Sequence, residues 1–196
     1  MMKLYVVRHG QTLFNVKGQI QGWCDSPLTA LGIEQAKKAG KGLSNIDFVA
    51  GYSSTAERAK DTLDYLLGDR DVPRFHVKGL REIFVGDLEG EEESAYAKAG
   101  LDYFDGFTSV GGESFPEAIE RFTSTLKEIA KKHPEGNVLI ATHGGVIMGT
   151  LMAMDPKWDT YFRTQGGMKN CAVTVFCVED GILSVKSAND TSCVGD

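Results

Sequence analysis

The sequence lacks the features that mark nucleic-acid-binding and membrane proteins. It carries no dense run of Lys or Arg, and its formal net charge is −6 with a pI near 5.3, whereas nucleic-acid binding needs a basic stripe that displaces counterions. No stretch of apolar residues is long enough to cross a membrane. The apolar run before Arg8 has only four residues, too few for the core of a signal peptide. We therefore expect a cytoplasmic protein that binds neither nucleic acid nor membranes.

Metal-binding and disulfide patterns are also missing. The four cysteines are far apart in the sequence and form no CxxC pair, and the histidines show no HxxxH or HxH spacing. Disulfide frameworks belong to small secreted chains, and zinc sites need close ligand pairs. We therefore predict reduced thiols, no metal and no cofactor.

The composition is that of a folded domain. Hydrophobic residues make up 42% of the chain and charged residues 24%, which excludes a disordered protein. A chain of 196 residues fits a single domain, residues 1–196, and buries enough surface to need no cross-links. The sequence leaves the oligomeric state open, a homodimer included.

Short apolar runs recur along the chain and are typical of strands buried in a sheet. The predicted strands are residues 4–7, 48–52, 74–77, 138–141, 172–178 and 182–186. The last two are joined by Asp-Gly, which predicts an antiparallel hairpin. Because helical patterns lie between the others, the order of elements indicates a three-layer α/β/α sandwich.

Two helix starts carry a serine followed three residues later by a glutamate, the pattern of a capping box. The first, Ser54–Glu57, places Arg58 in the first turn of its helix, pointing back toward the strand ends. The second, Ser114–Glu117, opens a helix that is expected to end near His133. Two further helices are predicted from Thr29 to about Gly42 and from about Val146 to Met154.

Residues 86–112 lack strand patterns, contain several glycines and are rich in acids. A small helical stretch is predicted around 94–99. Long irregular segments in compact domains usually serve a function or move. We therefore expect a lid-like insertion at about 86–112, over one edge of the sheet.

Two buried strands end in a histidine followed by a glycine, His9-Gly10 and His143-Gly144. The carboxyl ends of parallel strands meet at one edge of an open sheet, where ligands bind. Arg8 and Arg58 are expected at the same edge, and helix N-termini add N–H groups that bind anions. Such a set of groups suits a tetrahedral dianion, for which phosphate is the natural candidate.

Each of these residues also has a purely structural interpretation. A strand-end histidine is more often a hydrogen-bonded structural residue than a functional one. Arg8 could be a surface cation, and Arg58 could pair with Glu57 or Asp61 on its own helix.

The combination resembles a known family. The run Arg8-His9-Gly10-Gln11-Thr12, followed by Asn15 and Gln21-Gly22, is similar to the opening of the histidine phosphatase superfamily, which has the phosphoglycerate mutase-like fold. Further blocks match in family order: Ser26-Pro27-Leu28-Thr29, Ser53-Ser54 through Arg58, Leu80-Arg81-Glu82-Ile83, Gly111-Gly112-Glu113-Ser114 and Thr142-His143-Gly144. The resemblance covers nearly the whole chain and implies a mixed, mostly parallel sheet with one antiparallel edge strand.

The resemblance also implies a role for each residue. His9 would be phosphorylated during turnover, and Glu82 would give a proton to the leaving oxygen. Arg8, Arg58 and His143 would complete the catalytic set. The residues implied in phosphate binding are Arg8, His9, Gly10, Gln11, Thr12, Asn15, Gln21, Gly22, Arg58, His143 and Gly144.

Three positions depart from the family pattern. Gln11 stands where the family often has glutamate, and residues 17–19 supply no arginine where the family often has one. Phe84-Val85 replaces the more usual acid–aromatic pair. None of the three belongs to the catalytic set.

These residues predict a metal-independent phosphomonoester hydrolase that forms a phosphohistidine and acts on a small phosphorylated metabolite. The alternative is a cofactor-dependent phosphoglycerate mutase. Family mutases carry extra basic residues between the acid and the second histidine, whereas residues 83–112 contain one cation, Lys98, so hydrolysis is favoured. A second alternative, a non-catalytic module that binds phosphorylated ligands, usually lacks the nucleophile or the acid, and both are present here.

Overall fold

A mixed sheet forms the centre of the molecule. The computed structural model describes residues 2–101 and 106–194, and in these the sheet has six strands in the order β3-β2-β4-β1-β5-β6. The strands are β1 (Met2–Arg8), β2 (Phe48–Ser53), β3 (Arg74–His76), β4 (Asn137–Thr142), β5 (Val173–Glu179) and β6 (Ile182–Asp190).

Most of the sheet is parallel. Strands β3, β2, β4 and β1 pair in parallel, while β5 runs antiparallel to both β1 and β6. The predicted hairpin between the last two strands is therefore present, and it forms one edge of the sheet. This confirms the mixed, mostly parallel sheet with antiparallel pairing at one edge.

Helices cover both faces of the sheet. They are α1 (Leu13–Lys17), α2 (Ala30–Gly42), α3 (Glu57–Leu67), α4 (Ser94–Lys98), α5 (Phe115–Lys132), α6 (Gly144–Met154) and α7 (Lys157–Gln165). Side chains of α2 and α3 pack in one apolar cluster with Val7 of β1, and those of α5, α6 and α7 pack in a second cluster with Val6. Because neighbouring residues of a strand point to opposite faces, β1 contributes to both clusters. The three-layer α/β/α prediction is confirmed.

One predicted capping box is wrong and the other is confirmed. Ser114 and Glu117 cap α5 reciprocally, as the sequence indicated. Helix α3, in contrast, begins at Glu57 with Ala56 as its N-cap and no side-chain cap from Ser54. The backbone N–H of Glu57 donates instead to the carboxylate of Asp25. Asp25, 32 residues away along the chain, therefore replaces Ser54 as the acceptor at the start of the helix. Arg58 still lies in the first turn, as predicted.

Two helices were not predicted. Helix α1 has its own capping box, formed by Thr12 with Asn15 at the third helical position; asparagine there falls outside the usual Ser/Thr-to-Glu/Gln pattern. Helix α7 follows α6 after a single turn and buries Phe162. Trp158, Tyr161 and Phe162 stand at the helical spacing i, i+3, i+4 and pack at the core, but this apolar pattern spans little more than one turn, and helix prediction rests on longer ones.

The segment 86–112 is irregular, as expected, but firmly attached. Residues 102–105 lie outside the described residues. Of the rest, the N–H of Glu93 donates to the carbonyl of Gly18 at 2.9 Å, and the N–H of Ile20 donates to Glu91 at 2.8 Å. The Phe107 side chain is fully buried in the core. Residues 91–93 are therefore bonded to residues 18–20, and α4 begins directly after them.

Candidate active site

Strand pairing brings the two predicted histidines together. Arg8 at the end of β1 is in register with Thr142 at the end of β4, and the N–H of His9 donates to the Thr142 carbonyl at 2.8 Å. The ring centroids of His9 and His143 are 5.4 Å apart. Parallel neighbours therefore deliver both imidazoles to the same end of the sheet, the end where open α/β sheets bind ligands.

His9 is held as a neutral ring with one nitrogen presented to the site. Its Nδ1 lies 2.8 Å from the carbonyl oxygen of Gly10. Because a carbonyl only accepts, Nδ1 carries the proton and Nε2 keeps its lone pair. Burial, then the Arg58 and Arg8 guanidinium groups, lower the pKa of His9 well below its usual value, outweighing the Gly10 carbonyl, which raises it. A neutral imidazole with Nε2 unprotonated is the form that attacks phosphorus.

The Arg58 guanidinium is fully buried beside His9 and is aimed by three acceptors. Its Nη1 donates to the carbonyl of Cys24 at 2.8 Å and to Oδ1 of Asp25 at 3.0 Å, and its Nη2 donates to the carbonyl of Gly22 at 2.8 Å. Nε has no hydrogen-bond partner among the described residues. The Nε–H is therefore left to donate to an oxygen of a bound phosphate, a group that arginine binds well.

Arg8 reaches the same site from the strand end. Its Nη1 donates to the carbonyl of Met168. A Cβ at Gly144 would stand 3.3 Å from Cδ and Nε of Arg8, which is tighter than most real contacts. Glycine at the start of α6 therefore makes room for the arginine side chain.

Glu82 is buried against the N-terminus of α6. Its Oε2 accepts from the N–H of Gly145 at 2.8 Å, and its Oε1 accepts from the N–H groups of Val146 and Ile83, each at 2.9 Å. Burial raises the pKa of Glu82, against the opposing effects of these N–H groups and of Arg58. Desolvation thus wins over the helix end, and the carboxyl group keeps its proton to a higher pH than an exposed glutamate would.

His143 is fully buried, and neither of its ring nitrogens has a hydrogen-bond partner among the described residues. Burial, followed by the charge of Arg58, lowers the pKa of His143 well below its usual value. Buried polar groups are normally hydrogen-bonded. A ring left without a partner next to His9 therefore has the capacity to donate to an oxygen of a bound ligand.

A cavity of about 530 Å³ lies at this end of the sheet. Six of the predicted site residues line it: Arg8, His9, Asn15, Gln21, Glu82 and Gly144. Arg58 and His143 do not line the cavity; they lie buried beside His9. The rest of the wall is mainly apolar and comes from Ile20, Ile83, Val85, Tyr96, Met148, Phe162 and Met168, with Gln19 and Glu93 as its further polar side chains.

Four predicted phosphate-binding residues support the site without lining it. The Gln11 side chain accepts from the Thr29 hydroxyl at 2.8 Å and so points to α2. Thr12 caps α1 and its hydroxyl lies 3.1 Å from Nε2 of Gln21. The carbonyl of Gly22 accepts from Arg58. Gly10 packs closely on Gly32: a Cβ at residue 10 would stand only 2.4 Å from the Gly32 carbonyl oxygen, which leaves no room for a side chain.

Some residues that shape the site were not predicted. Asp25 both holds Arg58 and accepts from the first turn of α3. Arg121, paired with Glu113, donates to the backbone carbonyls of Arg81 and Glu82 at 2.9 and 3.1 Å. No local sequence pattern marks such contacts, because each joins segments that are distant along the chain.

The lowered pKa values of His9 and His143 should make the protein less stable in mild acid. The unfolded chain takes up protons below about pH 6.5 while the folded rings stay neutral, so the free energy of unfolding should fall by about 1.4 kcal/mol per pH unit for each histidine. The raised pKa of Glu82 acts in the opposite sense at lower pH. Urea unfolding between pH 7.5 and 5.5 measures the slope, and His143→Gln should reduce it by one histidine's share. An unchanged slope would contradict the burial of a neutral His143.

No group of three or more His, Cys, Asp or Glu side chains is placed to hold a metal ion within residues 2–101 and 106–194. Over the same described ranges, no helix is both long and apolar enough to cross a membrane.

Known proteins with similar sequences and structures fit this geometry. Residues 4–191 match the model of the histidine phosphatase superfamily (branch 1). A metal-independent phosphoserine phosphatase of Arabidopsis thaliana is 32% identical over 97% of this chain and 82% of its own length. The adenosylcobalamin/alpha-ribazole phosphatase of Escherichia coli is 30% identical over 85% of this chain and 87% of its own length. Other relatives are named 2,3-bisphosphoglycerate-dependent phosphoglycerate mutases. The solved structure of Bacillus stearothermophilus YhfR superposes with a TM-score of 0.88 at 31% identity, covering 99% of this chain and 100% of that one.

Proposed function

The chain belongs to the histidine phosphatase superfamily and is a phosphatase of small phosphorylated metabolites, and we propose that it acts without a metal through a phosphohistidine at His9. The observation that carries the proposal is that His9 and Glu82 line one cavity and that their pKa values are shifted in opposite directions. His9 is neutral with Nε2 unprotonated, and Glu82 has a raised pKa. Cleavage of a phosphomonoester requires an unprotonated nucleophile and a protonated acid that face the same ligand.

In the first step, Nε2 of His9 attacks phosphorus and the ester P–O bond breaks. The carboxyl proton of Glu82 goes to the leaving oxygen, so the alcohol departs neutral. Arg8, Arg58 and Asn15 donate to the equatorial oxygens, whose charge the transition state spreads. In the second step, the Glu82 carboxylate takes a proton from water, the water oxygen bonds to phosphorus, and the P–N bond breaks. Inorganic phosphate leaves and both residues return to their starting states.

The wall of the cavity favours hydrolysis over mutase chemistry. Among the described residues that line it, Arg8 is the only Lys or Arg, and Glu93 adds a carboxylate. The sequence places no cation in residues 102–105 either. A substrate with a second anionic group would find no cation beyond those that bind the phosphate. We therefore propose a leaving group that carries no carboxylate and rests its apolar part on Met148, Phe162 and Met168.

We propose that helix α4 and the residue before it act as a lid of the site. Glu93 and Tyr96, at the start of and within α4, line the cavity. Burial, followed by the charge of Glu82, raises the pKa of the Tyr96 phenol, so it stays neutral during turnover. Tyr96 lines the same cavity as Glu82, which supports contact of this lid with the leaving group.

A matched pair of substrates tests the leaving-group preference. O-Phosphoserine and O-phosphoethanolamine differ only in one carboxylate, which is the group that the Arabidopsis relative's named substrate carries. We expect kcat/KM to be about tenfold higher for phosphoethanolamine, because the carboxylate meets Glu93 without a partner cation. Glu93→Lys should reduce or reverse the ratio, and p-nitrophenyl phosphate serves as the control for an intact phosphate site.

Equal values for the two esters in wild-type enzyme would contradict the preference while leaving hydrolysis intact. Isomerisation of 3-phosphoglycerate faster than release of phosphate from it would instead establish the mutase alternative. Loss of activity on treatment with a chelator would contradict the metal-independent mechanism.

A further inference from the structure

The turn between α7 and β5 wraps around the end of β1. The N–H of Cys171 donates to the carbonyl of Arg8 at 3.0 Å, and the N–H of Arg8 donates to the carbonyl of Ala172 at 3.2 Å. The carbonyl of Met168 accepts from the Arg8 side chain. Residues 168–172 are thus attached to the backbone and the side chain of the residue that precedes the nucleophile.

The side chain of Asn170 extends this attachment into the site itself. Its Nδ2 donates to the carbonyl oxygen of His9 at 3.0 Å and lies 3.3 Å from Oδ1 of Asn15. One amide group therefore touches both the nucleophile's backbone and a side chain that lines the cavity. No motif in the sequence marked Asn170.

The two contacts of Asn15 fix which way its amide faces. Its Oδ1 accepts from Asn170 and from the N–H of Thr12, the latter at 3.1 Å. Because both neighbours donate, the oxygen must point toward them, and the Nδ2 group is turned the other way. Asn15 lines the cavity, so its two N–H donors remain for an anionic ligand.

The backbone around Asn170 is held in an unusual conformation. Cys171 has a φ of 56°, a region that residues other than glycine rarely adopt. The residue is fully buried, and its N–H is the one that bonds to Arg8. The fold thus accepts a local cost to place Asn170 over the strand end.

We propose that Asn170 is a positioning residue of the phosphate site, which holds His9 in place and turns the amide of Asn15 toward the phosphoryl oxygens. The inference rests on the proposed function, since it concerns the same bound phosphate. Asn170 itself does not contact the substrate. Its effect passes through Asn15 and the backbone of His9.

A double-mutant cycle tests this role. Asn170→Ala and Asn15→Ala should each lower kcat/KM for p-nitrophenyl phosphate and weaken binding of inorganic phosphate by about tenfold, the worth of a hydrogen bond to a charged ligand. The double variant should lose less than the sum of the two single losses, because the part of the Asn170 effect that passes through Asn15 is already absent once Asn15 is replaced. Kinetics and calorimetric titration with inorganic phosphate measure the two losses.

Asn189→Ala is the matched control. The Oδ1 of Asn189 accepts from the N–H of Lys169 at 3.1 Å, so this residue supports the same turn without reaching His9 or Asn15. We expect Asn189→Ala to lower the melting temperature and leave kcat/KM and phosphate binding within about twofold of wild type.

Additive losses in the double variant, or an equal loss in Asn189→Ala, would overturn the positioning role. Failure of the proposed function is a separate result, because it would appear as absence of hydrolysis in the wild-type protein. Phosphate titration reports on Asn170 in that case too, since it requires binding and no turnover.

Discussion

Replacing His9 with alanine is expected to lower kcat by about 10⁴-fold or more, the usual cost of removing a covalent nucleophile. The remaining groups can still bind and polarise the ester, but no other described side chain presents an unprotonated nitrogen to the same cavity. Arg8 and Arg58 are permanently cationic, and His143 is buried outside the wall. The release of phosphate from p-nitrophenyl phosphate measures the loss.

His76→Ala is the control for this variant. His76 also ends a parallel strand, β3, but it is exposed and bonds to the hydroxyl of Ser53 at 2.8 Å rather than facing the cavity. Its replacement should leave kcat unchanged. Both variants should bind inorganic phosphate and unfold cooperatively. Substantial turnover by a folded His9→Ala variant would contradict the assignment of the nucleophile.

Replacing Glu82 with glutamine should separate substrates by their leaving groups. Alkyl phosphates, whose alkoxide leaves only when protonated, should lose about 10²- to 10⁴-fold in kcat/KM, the range of general acid catalysis. We compare kcat/KM because it reports the transfer to His9 alone, whereas kcat also contains the hydrolysis step, in which Glu82 is the base for every ester. p-Nitrophenyl phosphate releases a stable phenolate and needs no acid, so its loss should stay within about tenfold in the first step. The ratio of the two losses, measured on phosphoethanolamine and p-nitrophenyl phosphate, reports the acid role directly.

The surroundings of Glu82 call for a second variant. Both of its oxygens accept from backbone N–H groups, so the amide nitrogen of glutamine would face a donor and disturb the start of α6. Glu82→Ala removes the acid without that conflict and should show the same dependence on the leaving group. Equal losses on both esters in both variants would show that Glu82 acts on structure rather than on the leaving oxygen.

The meeting of His9 with His143 could be predicted only in part. Two buried strands ending in His-Gly indicated that both rings reach the same edge of a sheet. Strand order is set by contacts distant along the chain, however, and only the β1–β4 pairing shows that the rings are neighbours. The family resemblance supplied the expectation that composition and periodicity could not.

The surroundings of Arg58 show why the other contacts of the site could not be predicted from the sequence. The sequence left open a pairing with Glu57 or Asp61 on its own helix, whereas the structure pairs Arg58 with Asp25 and two backbone carbonyls. The same carboxylate replaces the cap expected from Ser54. Asn170 likewise acts across more than 150 residues of sequence. Local patterns predict helices and strands because their hydrogen bonds are local or periodic, and these contacts are neither.

Trapping the phosphohistidine during turnover, by rapid quenching without acid, tests the mechanism most directly. Mass spectrometry of the wild-type protein, mixed with p-nitrophenyl phosphate and quenched in alkali, should find one phosphoryl group on His9. That group should be stable to alkali and labile to acid, as expected of a phosphoramidate, and it should be absent from His9→Ala. A turning-over enzyme that carries no phosphoryl group, or carries it on another residue, would contradict the mechanism.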